Sequence, residues 1–163
     1  YTSEEKNDGL GGSEYLALKT GDALGDAPYC DPAGEKRLAD LLVELASKKL
    51  LKSAHDVSDG GLLITASESC FRNMLGCKLD IPISGRKDVT YFGEAQGRVV
   101  ISLSASSASD VTSAAKAHNI AIEKIGTVTG TNLVVNDIID TPLHELRSAY
   151  MATIPNAMAA VND

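Results

Sequence analysis

The sequence has few aromatic residues and no long apolar run. Only 4% of the 163 residues are Phe, Trp or Tyr, and Trp is absent, so a core must be built mainly from Leu, Ile, Val and Ala. No stretch approaches the roughly 20 apolar residues that a membrane-spanning helix needs. The polar and acidic opening, YTSEEKNDG, has neither the apolar core of a secretory signal nor the basic character of a transit peptide. We therefore expect no membrane partner.

The chain also lacks a basic patch. Its formal net charge is -7, and no cluster of Lys and Arg offsets that charge locally. A nucleic acid backbone would be repelled by such a field, which argues against nucleic acid as a partner. Phosphorylated small molecules stay possible, because backbone N–H groups can bind them without a basic surface.

Cysteine and histidine are too scattered for a disulfide framework or a metal site. The three cysteines are an odd number without CxxC spacing, and the three histidines show no ligand spacing. These six residues are Cys30, Cys70, Cys77, His55, His118 and His144. We expect no metal ligands in this chain, and a reducing, cytoplasmic location.

Length and composition fit one domain with a full core. The chain is 44% hydrophobic, and two domains of half this length would each be marginal. We expect residues 1–9 to be a disordered linker remnant and residues 10–163 to form a single domain. The polar opening suggests a piece of a longer protein.

Three helices are predicted from caps and apolar spacing. Asp31-Pro32 begins one that buries a leucine face and ends near residues 48–49. Ser109 or Asp110 caps another over Val111, Ala114 and Ala115. A last one follows Thr141-Pro142, with Leu143, Leu146 and Tyr150 inward and a kink or end at Pro155.

Strands are predicted at four places. They are Cys77–Ile83, Val99–Leu103 as a buried central strand, Ile120–Ile125, and Leu133–Asn136 returning antiparallel to it. The expected fold class is α/β (α+β), with a mixed, largely antiparallel sheet packed against helices.

The stretch SAHDVSDGGLLITASESC, residues 53–70, is the first candidate for chemistry. It predicts a strand end, a turn at Ser58, Asp59, Gly60 and Gly61, and a helix start. Free N–H groups at such a turn suit a phosphate, and Ser58 adds a hydroxyl. The other interpretation is an ordinary helix N-cap in which the glycines only turn the chain.

Two further pairs carry candidate side chains. His55 at the strand end, beside Asp56, is either an acid/base or ligand contact, or a histidine bonded to a backbone carbonyl. Glu94 and Arg98, within FGEAQGR, either form an ion pair that braces the turn before a buried strand or reach a ligand.

Four stretches in this order carry a resemblance: LGGSEYL, AHDVSDGGL, FGEAQGRVV and IGTVTG. Together they resemble the C-terminal domain of the phosphoribosylformylglycinamidine synthases, in the superfamily of aminoimidazole ribonucleotide synthetase. The resemblance covers most of residues 10–150. The chain is most similar to the second of the two such domains in that family. Other superfamily members, such as thiamine-phosphate kinase relatives, are an alternative, which the GGSEYL stretch disfavours.

The resemblance implies a ligase of purine biosynthesis. The family converts formylglycinamide ribonucleotide, ATP and glutamine-derived ammonia to formylglycinamidine ribonucleotide, with Mg²⁺. It implies N-terminal ATP-binding domains and a glutaminase as partners, and a fragment that is inactive alone, with no tightly bound cofactor. Ser58, Asp59, Gly60 and Gly61 would face phosphate or nucleotide, with His55 nearby. The alternative is a structural or auxiliary-nucleotide domain without a direct catalytic role.

Overall fold

The computed structural model describes residues 9–160. Within that range the α-helices are α1 (Glu14–Thr20), α2 (Pro32–Ser47), α3 (Gly61–Phe71), α4 (Lys87–Phe92), α5 (Ala108–Ala117) and α6 (Leu143–Ala160). The strands are β1 (Leu51–Asp56), β2 (Cys77–Leu79), β3 (Val99–Leu103), β4 (Gly126–Val128), β5 (Asn132–Val135) and β6 (Ile139–Pro142). A short 3-10 helix, Ala105–Ser107, precedes α5.

The chain divides into two compact units. The first holds the residues up to Thr65 and Ile83–Lys124, and the second holds Ala66–Pro82 and the residues from Ile125 onward. Helix α3 begins in the first and ends in the second. The mixed fold with mostly antiparallel pairing is confirmed, but the strands form two sheets instead of one.

The first unit contains a two-stranded antiparallel sheet and a helical core. Strand β1 pairs with β3, and His55 lies opposite Val100. Helices α2 and α5 bury Leu41, Leu45, Val111 and Ala115 against each other. The helix start at Asp31 is confirmed, because its carboxylate accepts the N–H of Ala33 at 3.1 Å.

Strand β3 is not the buried central strand that its apolar residues predict. All five of its residues are half-buried, and in the described part of the chain it pairs with β1 alone. Ile101 and Leu103, on one face of β3, pack against the α2–α5 core. The adjacent predicted strand at 120–125 is also wrong, because these residues are irregular.

The second unit contains a four-stranded mixed sheet in the order β4-β2-β5-β6. Strand β5 pairs in parallel with β2 and antiparallel with β6. It runs antiparallel to β4, the strand before it in the chain, as predicted, but the two strands do not pair because β2 lies between them. Strand β2 buries Cys77 and Leu79 and exposes Lys78, whose ammonium lies 2.8 Å from Asp137. This alternation is the one that the sequence predicts, although β2 ends at Leu79 rather than Ile83.

Helix α6 starts where predicted and continues further. Leu143 is fully buried and Leu146 is half-buried, but Tyr150 is 54% exposed, so its predicted inward position is wrong. Pro155 lies inside the helix, which continues to Ala160, so it does not end the helix. The alternative, a kink at Pro155, stays a prediction. Of the helices in residues 9–160, none is both long and apolar enough to span a bilayer.

The predicted linker remnant, residues 1–9, lies outside the described residues except for Gly9. Gly9 is buried, and its carbonyl accepts the N–H of Glu94 at 2.6 Å. The division into a linker and one domain over residues 10–163 stays a prediction.

Candidate functional site

The candidate loop lies between β1 and α3, as its sequence predicts. Strand β1 ends at Asp56, and the N–H of Val57 still bonds to the carbonyl of Arg98 at 2.9 Å. The chain then turns, and the N–H of Gly61 donates to the carbonyl of Ser58 at 3.0 Å. Ser58 is exposed. The corner of the loop is therefore exposed to solvent, and α3 begins directly after it.

Backbone conformation and packing within this chain are enough to require both glycines of the loop, without any ligand. Gly60 and Gly61 have φ angles of +79° and +73°, which other residues rarely adopt. A Cβ on Gly61 would lie 2.6 Å from the carbonyl carbon of Phe92, and one on Gly60 would collide with the side chain of Ile64. The glycines therefore permit a tight turn and close packing against the end of α4.

Glu94 holds the loop with one carboxylate oxygen. Its Oε1 accepts the N–H of Gly60 at 2.7 Å and the N–H of Glu14 at 2.9 Å. Glu14 is the first residue of α1, whose N-cap is the fully buried Ser13. The SDGG loop, the FGEAQGR stretch and the GGSEYL stretch thus meet at a single carboxylate. In this arrangement the Gly60 amide already has an anionic partner within the chain.

Arg98 braces the same segment without an ion pair to Glu94. Its Nε donates to the carbonyl of Ala95 at 3.2 Å, and its terminal nitrogen donates to the carbonyl of Gly93. Burial lowers the pKa of Arg98 from its usual value. The predicted Glu94–Arg98 ion pair is therefore wrong, because each side chain bonds to backbone groups instead. A guanidinium can saturate several carbonyls at once, which suits this turn.

His55 is bonded to a backbone carbonyl, which is the second of the two interpretations of this residue. Its Nδ1 lies 2.8 Å from the backbone carbonyl of Asp56 and 3.7 Å from that residue's carboxylate. The side chain is 32% exposed. Since a carbonyl only accepts, this bond places a hydrogen on Nδ1. The structure does not pair His55 with the Asp56 side chain at hydrogen-bonding distance.

Thr65 and Ser13 are two buried supports that the sequence patterns did not single out. The hydroxyl of Thr65 donates toward the carbonyls of Asp56, at 3.2 Å, and Gly61, at 3.1 Å, so it ties the end of β1 to the first turn of α3. The sequence signal that could have identified Thr65 is its spacing, because a threonine hydroxyl in a helix can donate to the carbonyl four residues earlier, here that of Gly61. Ser13 shows the usual N-cap pattern before Glu14.

The described residues do not assemble a complete metal site. In residues 9–160, no three His, Cys, Asp or Glu side chains lie together as metal ligands. Asp56 and Asp59 are both exposed. Any cation at this corner would thus need ligands from elsewhere, such as nucleotide phosphates.

Similarity to known proteins identifies the family of this chain. A family model described as "AIR synthase related protein, C-terminal domain" matches residues 2–137. The chain belongs to this family. The match spans β1, the SDGG loop and the FGEAQGR stretch, and it ends just before β6 and α6.

Curated relatives of the chain are much longer than it is. It is 41% identical over 160 residues to phosphoribosylformylglycinamidine synthase subunit PurL of Chlorobaculum tepidum, covering 91% of this chain and 21% of the relative. It is 34% identical over 149 residues to the same subunit of Caldanaerobacter subterraneus, covering 89% and 20%. The chain thus spans about a fifth of the length of these relatives.

Solved structures share the fold. Thermotoga maritima PurL complexed with FGAR superposes with a TM-score of 0.65 at 24% identity, covering 78% of this chain and 23% of that chain. Thiamine-monophosphate kinase from Stenotrophomonas maltophilia gives a TM-score of 0.53 at 22% identity, covering 80% and 47%. Two different activities therefore occur on this fold, so the fold alone does not choose between them.

Proposed function

We propose that this chain is the C-terminal domain of a phosphoribosylformylglycinamidine synthase. The whole enzyme would convert formylglycinamide ribonucleotide, ATP and glutamine-derived ammonia to formylglycinamidine ribonucleotide in purine biosynthesis. The observation that carries the proposal is the match of about nine-tenths of this chain to PurL subunits at 33–41% identity. The isolated domain would be inactive, because most of the length of those relatives lies outside it.

We propose that the loop Ser58–Gly61 contributes a phosphate-facing corner to the active site of the whole enzyme. Ser58 and Asp59 are exposed, and Ser58 offers a hydroxyl donor. Glu94 would act as a positioning residue, because it fixes Gly60 without itself needing to touch the ligand. A phosphate that reached the Gly60 N–H would have to displace that carboxylate, so we assign the first contact to Ser58.

ATP would supply the phosphoryl group that turns the amide oxygen into a leaving group, and Mg²⁺ would offset the charge. We propose that the protein ligands of Mg²⁺ lie in the ATP-binding domains and not in this chain. The partners proposed are N-terminal ATP-binding domains of the same protein and a glutaminase domain or subunit. We propose a cytoplasmic location for the assembly.

A structural or auxiliary-nucleotide role for this domain is the second candidate. The observation that favours it is the bond from the Gly60 N–H to Glu94, which occupies the amide that a phosphate would use. His55 bonded to a backbone carbonyl points the same way. In this alternative the chemistry occurs elsewhere in the protein, and the loop serves packing.

Ser58→Ala in the full-length enzyme separates the two candidates. Ser58 is exposed, and its substitution leaves the Glu94 bonds in place, so the fold should be retained. If the loop faces the reacting phosphate, loss of one charge-assisted hydrogen bond should lower kcat/KM about tenfold. The matched control is Ser84→Ala, an exposed serine in another irregular segment, which should behave as the unmodified enzyme.

The measurement is steady-state formation of the amidine, with ATP and the ribonucleotide varied separately. A rise in KM for one substrate would name the ligand that the loop meets. Equal kinetic constants for the Ser58 and Ser84 variants would reject a phosphate-facing loop and favour the structural role. Absence of amidine synthesis by the unmodified full-length protein would reject the proposed reaction itself.

A further inference from the structure

Cys70 and Cys77 form a buried thiol pair in the second unit. Their sulfur atoms lie 3.7 Å apart, and each residue is 7% exposed. Cys70 is the last residue but one of α3, and Cys77 is the first residue of β2. The third cysteine, Cys30, is exposed and belongs to the first unit.

The backbone holds both thiols in place. Cys77 pairs with Val128 of β4 on one side and with Leu133 of β5 on the other, so it lies in an internal strand of the sheet. Cys70 lies in the last turn of a regular helix. A disulfide needs the sulfurs to close from 3.7 Å to about 2.05 Å, a movement that side-chain rotation can supply when the backbones are already adjacent.

We propose that Cys70 and Cys77 are a peroxide-responsive pair that forms a disulfide between the end of α3 and strand β2. The Cys70 sulfur attacks the peroxide O–O bond, giving a sulfenic acid and one water. The Cys77 thiol then attacks that sulfur, forms the S–S bond and releases a second water. The two thiols lose two electrons and two protons in all, and the peroxide is reduced.

The electrostatics support this order of attack. The hydrogen bond between the two sulfurs lowers the pKa of Cys70, because the Cys77 thiol can donate to a Cys70 thiolate, although burial opposes this shift. The same contact, together with burial, raises the pKa of Cys77. Cys70 is therefore the thiol that ionises first, and Cys77 resolves the intermediate.

Non-reducing tryptic mapping of the protein with Cys30→Ser tests the pair. The protein is treated with a small excess of hydrogen peroxide, unfolded, alkylated and digested. Trypsin cleaves after Lys52, Arg72 and Lys78, so the disulfide would link residues 53–72 to residues 73–78. We expect this linked species to be the main cysteine product. We also expect the disulfide to raise the melting temperature, and dithiothreitol to remove both the link and this rise.

Cys77→Ser is the matched variant. It keeps the attacking thiol and removes the resolving one, so a sulfenic acid at Cys70 should be trapped by dimedone and no link should form. The proposal is overturned if peroxide-treated, folded protein yields both cysteines fully alkylated. It is equally overturned if the link appears only after oxidation in urea, because the native contact would then play no part.

Discussion

A single carboxylate oxygen organises the candidate loop at the residue scale. Glu94 accepts from the Gly60 and Glu14 amides, so Glu94→Ala would leave both donors without that partner. We expect the free energy of unfolding to fall by about 1–3 kcal/mol. Glu94→Gln keeps an acceptor oxygen and should retain most of the stability. Urea denaturation of both variants checks this, and equal midpoints for the Ala and Gln variants would contradict it.

Glu44 is a second residue whose carboxylate serves two partners. Its oxygens lie 2.6 Å from the Lys48 ammonium and 2.7 Å from His118 Nε2. Hydrogen bonding to Lys48, and then to His118, lowers the pKa of Glu44 below its reference value of 4.5. A lowered carboxyl pKa stabilises the fold above the unfolded-state pKa, and this contribution is lost as the pH falls through the folded-state pKa.

The stability of the unmodified protein should therefore decline as the pH falls below about 4.5, and Glu44→Gln should weaken that dependence. The Lys48 side chain is exposed and the Glu44 carboxylate is only half-buried, so the effect should be small and reduced by salt. Denaturation midpoints measured across pH 3–6 are the readout, with Glu35→Gln on the same helix as the control. An unchanged pH dependence in the Glu44 variant would exclude this carboxylate as a contributor.

At the scale of elements, the α2–α5 contact carries the core of the first unit. Leu45 is 1% exposed and packs with Leu41, Val111 and Ala115. Truncation to Leu45→Ala removes buried methyl groups and leaves a cavity, so we expect a loss of about 2–5 kcal/mol in unfolding free energy.

Val43→Ala is the matched control on the same helix. Val43 is 67% exposed, so its truncation should change the stability by less than about 0.5 kcal/mol. Thermal or urea unfolding of the two variants measures the difference. Similar losses in both would show that α2 does not bury the face that its leucine spacing predicts.

At the scale of the whole molecule, the chain is about a fifth of the length of its PurL relatives. If the proposed active site is shared with other domains, this chain alone should lack most of the ligand contacts. We expect calorimetric titration with ATP, or with the ribonucleotide, to give a Kd weaker than about 1 mM, whereas the full-length enzyme should bind both. Tight binding of ATP by the isolated chain would place a complete nucleotide site within it.

The local features of this protein could be predicted from the amino-acid sequence. Asp31-Pro32 and the leucine spacing defined α2, because caps and helical periodicity act within a few residues. The turn at Gly60 and Gly61 followed from glycine's tolerance of positive φ. The order of the four motifs was also enough to predict the family, and the family match over residues 2–137 confirms it.

Which distant groups meet depends on how the whole chain packs, and the sequence did not predict it. Nothing near Glu94 in the sequence shows that its carboxylate accepts from Gly60, 34 residues away, rather than from Arg98. The same holds for β5, which pairs with β2 and not with β4, the strand just before it in the chain. An apolar pattern predicts a strand, but its burial and the partner that satisfies its backbone are fixed by the packing of the whole chain.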